Sequence, residues 1–120
     1  MMSDGCSRAT GRMSMMIAQS GPGITNFMTP VKTAYWSHTP LWLVTLQAAN
    51  KTIGQCGYQE VVQMTMFKDC VCYQEEVRDP TRVPEVLNRV IVRAIRGSAP
   101  AQINMSRDMW IKVIDVGAAC

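Results

Sequence analysis

The stretch "LWLVTLQ", residues 41 to 47, is apolar on both of the faces that an extended chain presents in alternation. A strand of that kind needs a layer packed on each side, which places it in the middle of a sheet between helices. The elements around it have the matching character. Residues 13 to 19 form a short, mostly apolar strand, and the Gly-Pro-Gly turn that follows leads into Ile24, Phe27, Met28, Val31, Ala34 and Tyr35 at helical spacing. Pro22 suits the first turn of that helix, whereas Pro30 predicts a kink or a division into two shorter helical pieces.

Further along, residues 47 to 59 have neither period and carry two glycines, so they read as a loop after the carboxyl end of the central strand. A short helix is expected at 59 to 69 and a strand at 71 to 77. Asp79-Pro80 then offers an N-cap and first position for a helix whose Val83, Val86, Leu87, Val90, Ile91, Ala94 and Ile95 repeat at helical spacing up to Gly97. "AQINMS", residues 101 to 106, reads as a last strand, and residues 1 to 12 read as the end of a helix capped by Gly11. Strands alternating with helices predict an α/β fold: an open, mostly parallel sheet of about four strands with flanking helices and right-handed crossovers.

Composition narrows the function classes. At 120 residues the chain suits one domain, 1–120, and 48% apolar with 18% charged residues favours a packed core over disorder. The net charge is only +3, and Arg78, Arg82, Arg89, Arg93 and Arg96 lie without interleaved aromatics. They read as a solvated helix face, not a nucleic-acid groove. No apolar run is long enough for a membrane span, and "MSMMIA" is too short for a secretory signal, so a cytoplasmic protein is expected. Cysteines 6, 56, 70, 72 and 120 make no CxxC pair, and His38 is the only histidine, which argues against a zinc site. Cys70 and Cys72 are expected as buried or half-buried thiols on one side of a strand.

The candidate site is "SGPGITN", residues 20 to 26, because turns at the carboxyl edge of a parallel sheet are where such folds bind ligands. A dinucleotide loop needs G-x-G-x-x-G; here two of the three glycines are present, Pro22 removes an N–H, and Gln47 ends the next strand in place of an acid. A P-loop would need Gly-Lys-Ser/Thr, which does not follow. A purely structural turn remains open.

Taken together, "DGCSRATGRMSMMIAQSGPGITNF", "KTAYWSHTPL", "QAANKTIGQ", "YQEEVRDPTRV", "EVLNRVI" and "PAQINMSRDMW" resemble the pyrimidine-binding domain of thiamine diphosphate-dependent enzymes of the acetohydroxyacid synthase type. Within that superfamily they are most similar to the sulfoacetaldehyde acetyltransferases. The likeness runs from about residue 2 to residue 116. It implies that the glycine turn and the glutamine ending the next strand line the aminopyrimidine pocket, here Gly21, Pro22, Gly23, Asn26 and Gln47. It further implies that the loop with Lys51, Gly54, Tyr58, Gln59 and Glu60 lies near the same cleft.

The resemblance also implies what this chain does not carry. The activating glutamate of such enzymes precedes the "DGxSR" stretch, and the diphosphate and magnesium are held by a separate domain with a G-D-G signature, absent from this sequence. No catalytic residue and no metal ligand are therefore expected here, and the chain reads as a partial pyrimidine-binding domain without its first strand and helix. Cys6 and Cys56 replace the usual aromatic and glycine. The expectation is a truncated relative of a thiamine diphosphate-dependent acetyltransferase, not catalytic alone, that keeps a pyrimidine-side half-site. The alternatives are a self-associating structural module with an empty pocket, and a subunit whose partner chain supplies the missing domain. A homo-oligomer, most simply a dimer, follows from the uncovered sheet edge and from the resemblance.

Overall fold

Leu41–Gln47 forms strand β2 and lies inside a four-stranded sheet, as its two apolar faces require. The computed structural model describes residues 1–115. The other strands are β1 (Ser14–Ile17), β3 (Tyr73–Val77) and β4 (Ala101–Ser106), in the order β1-β2-β4-β3 with every pairing parallel. The expected α/β sheet is thus the observed one, and all its strands end at one edge.

Helices cover both faces. On one side, α2 (Pro22–Thr25), α3 (Met28–Trp36) and α4 (Gln63–Phe67) bury Ile24, Val31, Ala34 and Phe67 against Met16, Leu41 and Leu43. On the other side, α5 (Val83–Gly97) packs Val86, Val90 and Ala94 onto Val44, Val77, Ala101 and Ile103. Each such valine, leucine or isoleucine side chain contributes about 1.5–3 kcal/mol by leaving water. Ile95, expected on that buried face, is 56% exposed, because the stripe is centred on Val86, Val90 and Ala94 and the last turn rotates Ile95 off the sheet.

The helix after the glycine turn is divided, with Asn26 and Phe27 between α2 and α3. Pro30 is the third residue of α3, where an N–H would have no intrahelical partner, so the proline costs nothing there. Asp79 caps a short 3₁₀ turn, Pro80–Arg82, which then runs into α5; its Oδ1 accepts from the Thr81 N–H at 2.8 Å and from the Thr81 hydroxyl at 2.6 Å. Helix α1 (Met2–Thr10) ends at Gly11 in the left-handed conformation, as its sequence predicts. Two of its serines tie it to β1: the Ser3 hydroxyl donates to the Met15 carbonyl at 3.2 Å, and the Ser14 N–H donates to Ser7 Oγ at 3.1 Å.

The cysteine pair divides differently from the expectation. Cys70 is buried beside Met28, whereas Cys72 lies just ahead of β3 and is exposed. The strand starts two residues later than the sequence suggests, since the Cys72 N–H is taken by the Pro100 carbonyl at 2.8 Å. Cys120 lies outside the described residues.

A candidate cofactor cleft at the carboxyl edge

The ends of β1 and β2 and the loops that leave them enclose a cleft of about 610 Å³. Gln19 and Ser20 line it after β1; Leu46, Gln47, Ala48, Ala49, Lys51 and Thr52 line it from the end of β2 onward; Gly57, Tyr58 and Gln59 close one wall. Arg107 and Trp110 complete it from the segment after β4. None of these lining residues is acidic.

The glycine turn stands behind this wall. Gly21 is buried with φ 72°, and a β-carbon there would fall 2.7 Å from the Gln59 carbonyl oxygen, so what the turn holds closely is the backbone of the 50–60 loop. Adjacent side chains fasten the same contact: Gln19 Nε2 donates to Gln59 Oε1 at 3.0 Å, and the Ser20 hydroxyl donates to the Gln59 carbonyl at 3.4 Å. Pro22 and Asn26 are exposed and Gly23 is half-buried against Ala18 and Gln19. Of the five residues singled out in the sequence, Gln47 lines the cleft and Gly21, Pro22, Gly23 and Asn26 do not.

The loop residues also separate. Lys51, Tyr58 and Gln59 line the cleft; Glu60 instead turns into its own loop, accepting from the Gly54 N–H at 2.6 Å and the Gly57 N–H at 3.1 Å. Those bonds hold a backbone with positive φ at Gly54, Cys56 and Gln59. Beneath the loop, Gln63 is 1% exposed and its Nε2 donates to Ser20 Oγ and to the Leu46 carbonyl, while its Oε1 has no partner.

Gln47 is not a free side chain. Its Nε2 donates to Glu76 Oε1 at 2.7 Å, and its Oε1 accepts from Asn104 Nδ2 at 2.6 Å. Asn104 Oδ1 in turn accepts from the Thr45 hydroxyl at 2.8 Å, Thr45 Oγ accepts from Gln102 Nε2 at 2.9 Å, and Gln102 Oε1 accepts from Gln74 Nε2 at 3.0 Å. Thr45, Gln102 and Asn104 are fully buried, so the sheet face that is apolar beneath α3 becomes a row of paired polar side chains toward the cleft.

The contributions of Arg107, Trp110 and Gln19 were not anticipated from the sequence, whereas Ser20 belongs to the glycine-turn stretch singled out there. Arg107 and Trp110 follow β4, and only the strand order, which sets β4 beside β2, brings them next to Gln47. Asp108 beside them has its carboxyl held below the usual range, first by the Ser106 hydroxyl. Among the described residues no three His, Cys, Asp or Glu side chains converge to hold a metal ion, and no helix is long and apolar enough to cross a membrane.

Residues 1–66 match the family described as "Thiamine pyrophosphate enzyme, N-terminal TPP binding domain". Among curated proteins, the chain is 74% identical to the sulfoacetaldehyde acetyltransferase of Roseovarius nubinhibens over 97% of its own length and 19% of that protein's. It is 72% identical to the probable sulfoacetaldehyde acetyltransferase of Rhizobium meliloti, over 97% of this chain and 20% of that one. The probable acetolactate synthase large subunit of Methanocaldococcus jannaschii is more distant, at 30% over 94% of this chain and 19% of that one. The chain therefore spans about a fifth of the length of the curated relatives it matches. The parallel sheet, the cleft at its carboxyl edge and the matched residues agree: the chain belongs to the thiamine pyrophosphate enzymes, in their N-terminal cofactor-binding domain, and is highly similar to sulfoacetaldehyde acetyltransferases.

Proposed function

We propose that this chain provides the pyrimidine-side half-site for thiamine diphosphate in an acetyl-transferring enzyme of the sulfoacetaldehyde acetyltransferase kind. The observation that carries the reading is Gln47, a carboxamide held by Glu76 and Asn104 at the wall of the carboxyl-edge cleft, in a chain with relatives of that name. The residues fit the group: Gln47 offers hydrogen bonds, Leu46, Ala48 and Ala49 offer an apolar wall, and Trp110 offers an aromatic face. Gly21 supports the half-site from behind, by fixing where the Gln59 wall stands. When bound, the cofactor supplies carbanion chemistry.

By this reading the chain positions and shields the pyrimidine but does not activate it. Its cleft lining carries no acid, since Glu60 is committed to its loop and Glu76 to Gln47. The activating carboxylate, the diphosphate contacts and magnesium belong to other residues, on a partner chain or domain. A cytoplasmic dimer without nucleic-acid partners is part of the same proposal; Met15 and Ile17 on the edge strand, 50% and 46% exposed, support the pairing of two copies. The alternative is a self-associating module whose cleft holds no cofactor.

Calorimetric titration of thiamine, and of thiamine diphosphate with magnesium, tests the reading, with the mass in solution taken by light scattering. Saturable binding that weakens in Gln47→Ala, in a chain that still folds, is expected. No binding, or equal binding in both proteins, overturns the half-site and leaves the association module.

A further inference from the structure

The row of side chains that ends at Gln47 runs in one direction. From Gln74 through Gln102, Thr45, Asn104 and Gln47 to Glu76, every bond is donated forward, over distances of 2.6–3.0 Å. Thr45 Oγ also lies 3.3 Å from the Ile103 carbonyl, but its single proton makes the shorter bond to Asn104.

Both ends dictate that direction. The Glu76 carboxylate only accepts, so Gln47 must turn its amide nitrogen toward it, and each following amide must then turn the same way. At the other end, Gln74 Nε2 also donates to the Met64 carbonyl at 2.8 Å, and a carbonyl likewise only accepts. Reversal would set oxygen against oxygen at Met64 and at Glu76. In the buried middle, at Thr45, Gln102 and Asn104, an unmet polar group is costly, so a flip there is disfavoured.

We propose that Glu76 is a positioning residue for the cleft: by accepting at the end of this one-way chain it holds the Gln47 carboxamide in the orientation the chain sets, with one edge turned to the ligand. The inference rests on the half-site reading for what that ligand is. One N–H and one lone pair of Gln47 stay free, in an order that the chain sets and Glu76 holds. That order suits a ligand edge carrying an acceptor beside a donor, which an aminopyrimidine has, and it disfavours the same edge turned over. Glu76 does not line the cleft, so it acts only through Gln47.

The test uses Glu76→Leu, Glu76→Gln and Gln47→Leu in the ¹⁵N-labelled chain. The side-chain amide signals of Gln47 are identified by their loss in Gln47→Leu. In wild type one Nε2 proton, held by Glu76, exchanges with water more slowly than its twin. Glu76→Gln, which retains an accepting oxygen, keeps that difference, and thiamine affinity stays within about threefold; Glu76→Leu abolishes the difference and weakens thiamine about tenfold in a chain that still folds. Should Glu76→Leu fail to fold, Glu76→Ala takes its place. Gln47 signals in Glu76→Leu like those of wild type, or wild-type thiamine affinity in it, overturn the proposal. If wild type itself binds no thiamine, or Gln47→Leu binds it equally, the half-site reading falls, and the Gln47 signals alone decide whether Glu76 orients the amide.

Discussion

Gly21 and Gln59 meet where no side chain fits: a β-carbon on Gly21 would lie 2.7 Å from both Cβ and the carbonyl oxygen of Gln59. The backbone at Gly21 also has φ 72°, a conformation that L side chains rarely adopt. Gly21→Ala is therefore expected to destabilise the chain by about 2–4 kcal/mol, combining strain with the displacement of a backbone segment. Urea denaturation measures it. A change under about 0.5 kcal/mol would mean that the 50–60 loop is free to move off the turn.

The buried stripe of α5 gives a paired comparison. Val90→Asp sets an uncompensated charge at a fully buried position and is expected to cost about 3–5 kcal/mol, or to prevent folding. Ile95→Asp, at a site 56% exposed, is expected to change stability by less than about 0.5 kcal/mol. Similar costs for the two, read from the same denaturation curves, would place the stripe elsewhere.

Asp79 makes stability depend on pH. The Thr81 hydroxyl and then the Thr81 N–H hold its carboxyl below the usual range, so the folded state binds this proton less readily than the unfolded chain. For a lowered carboxylate the stabilisation is present above the unfolded pKa and disappears as pH falls through the folded one. The melting temperature of wild type is expected to exceed that of Asp79→Ala at neutral pH, with the gap closing in acid. A gap that stays constant from neutral pH to below both values would remove the linkage.

Thiol accessibility follows burial. Alkylation at neutral pH is expected to be rapid at the exposed Cys6 and Cys56 and slowest at Cys70. Cys72 is expected in between: it is exposed as a residue, yet burial of its sulfur raises its pKa, and the thiol faces the Arg93 and Ala99 carbonyls at 3.7 and 3.8 Å. Peptide mapping by mass spectrometry gives the order. Labelling of Cys70 as fast as Cys6 would contradict the packing beneath α3.

The fold was legible because its signals are local. A two-faced apolar strand, a capping glycine at residue 11 and the repeat of α5 each act within a few residues. Half of the cleft was legible for the same reason, since Gln47 ends a readable strand. What escaped depends on long-range pairing: Arg107 and Trp110 reach Gln47 only because β4 lies beside β2, and the polar row needs the register that sets Thr45 opposite Asn104. The glycine turn reads in the sequence either as a ligand loop or as a structural turn; its nearest neighbour is Gln59, nearly forty residues on, and no periodicity announces such a contact.

The strand order has a consequence for how the chain is made. Among the described residues β3 is hydrogen-bonded to β4 and to no other strand, yet β4 is the last of the four to leave the ribosome. Until residues 101–106 emerge, β1 and β2 can pair, but β3 has no place to dock, and the apolar stripe of α5 faces an incomplete floor. Completion of the sheet thus waits for its fourth strand, which inserts between two that were made earlier and could not find each other.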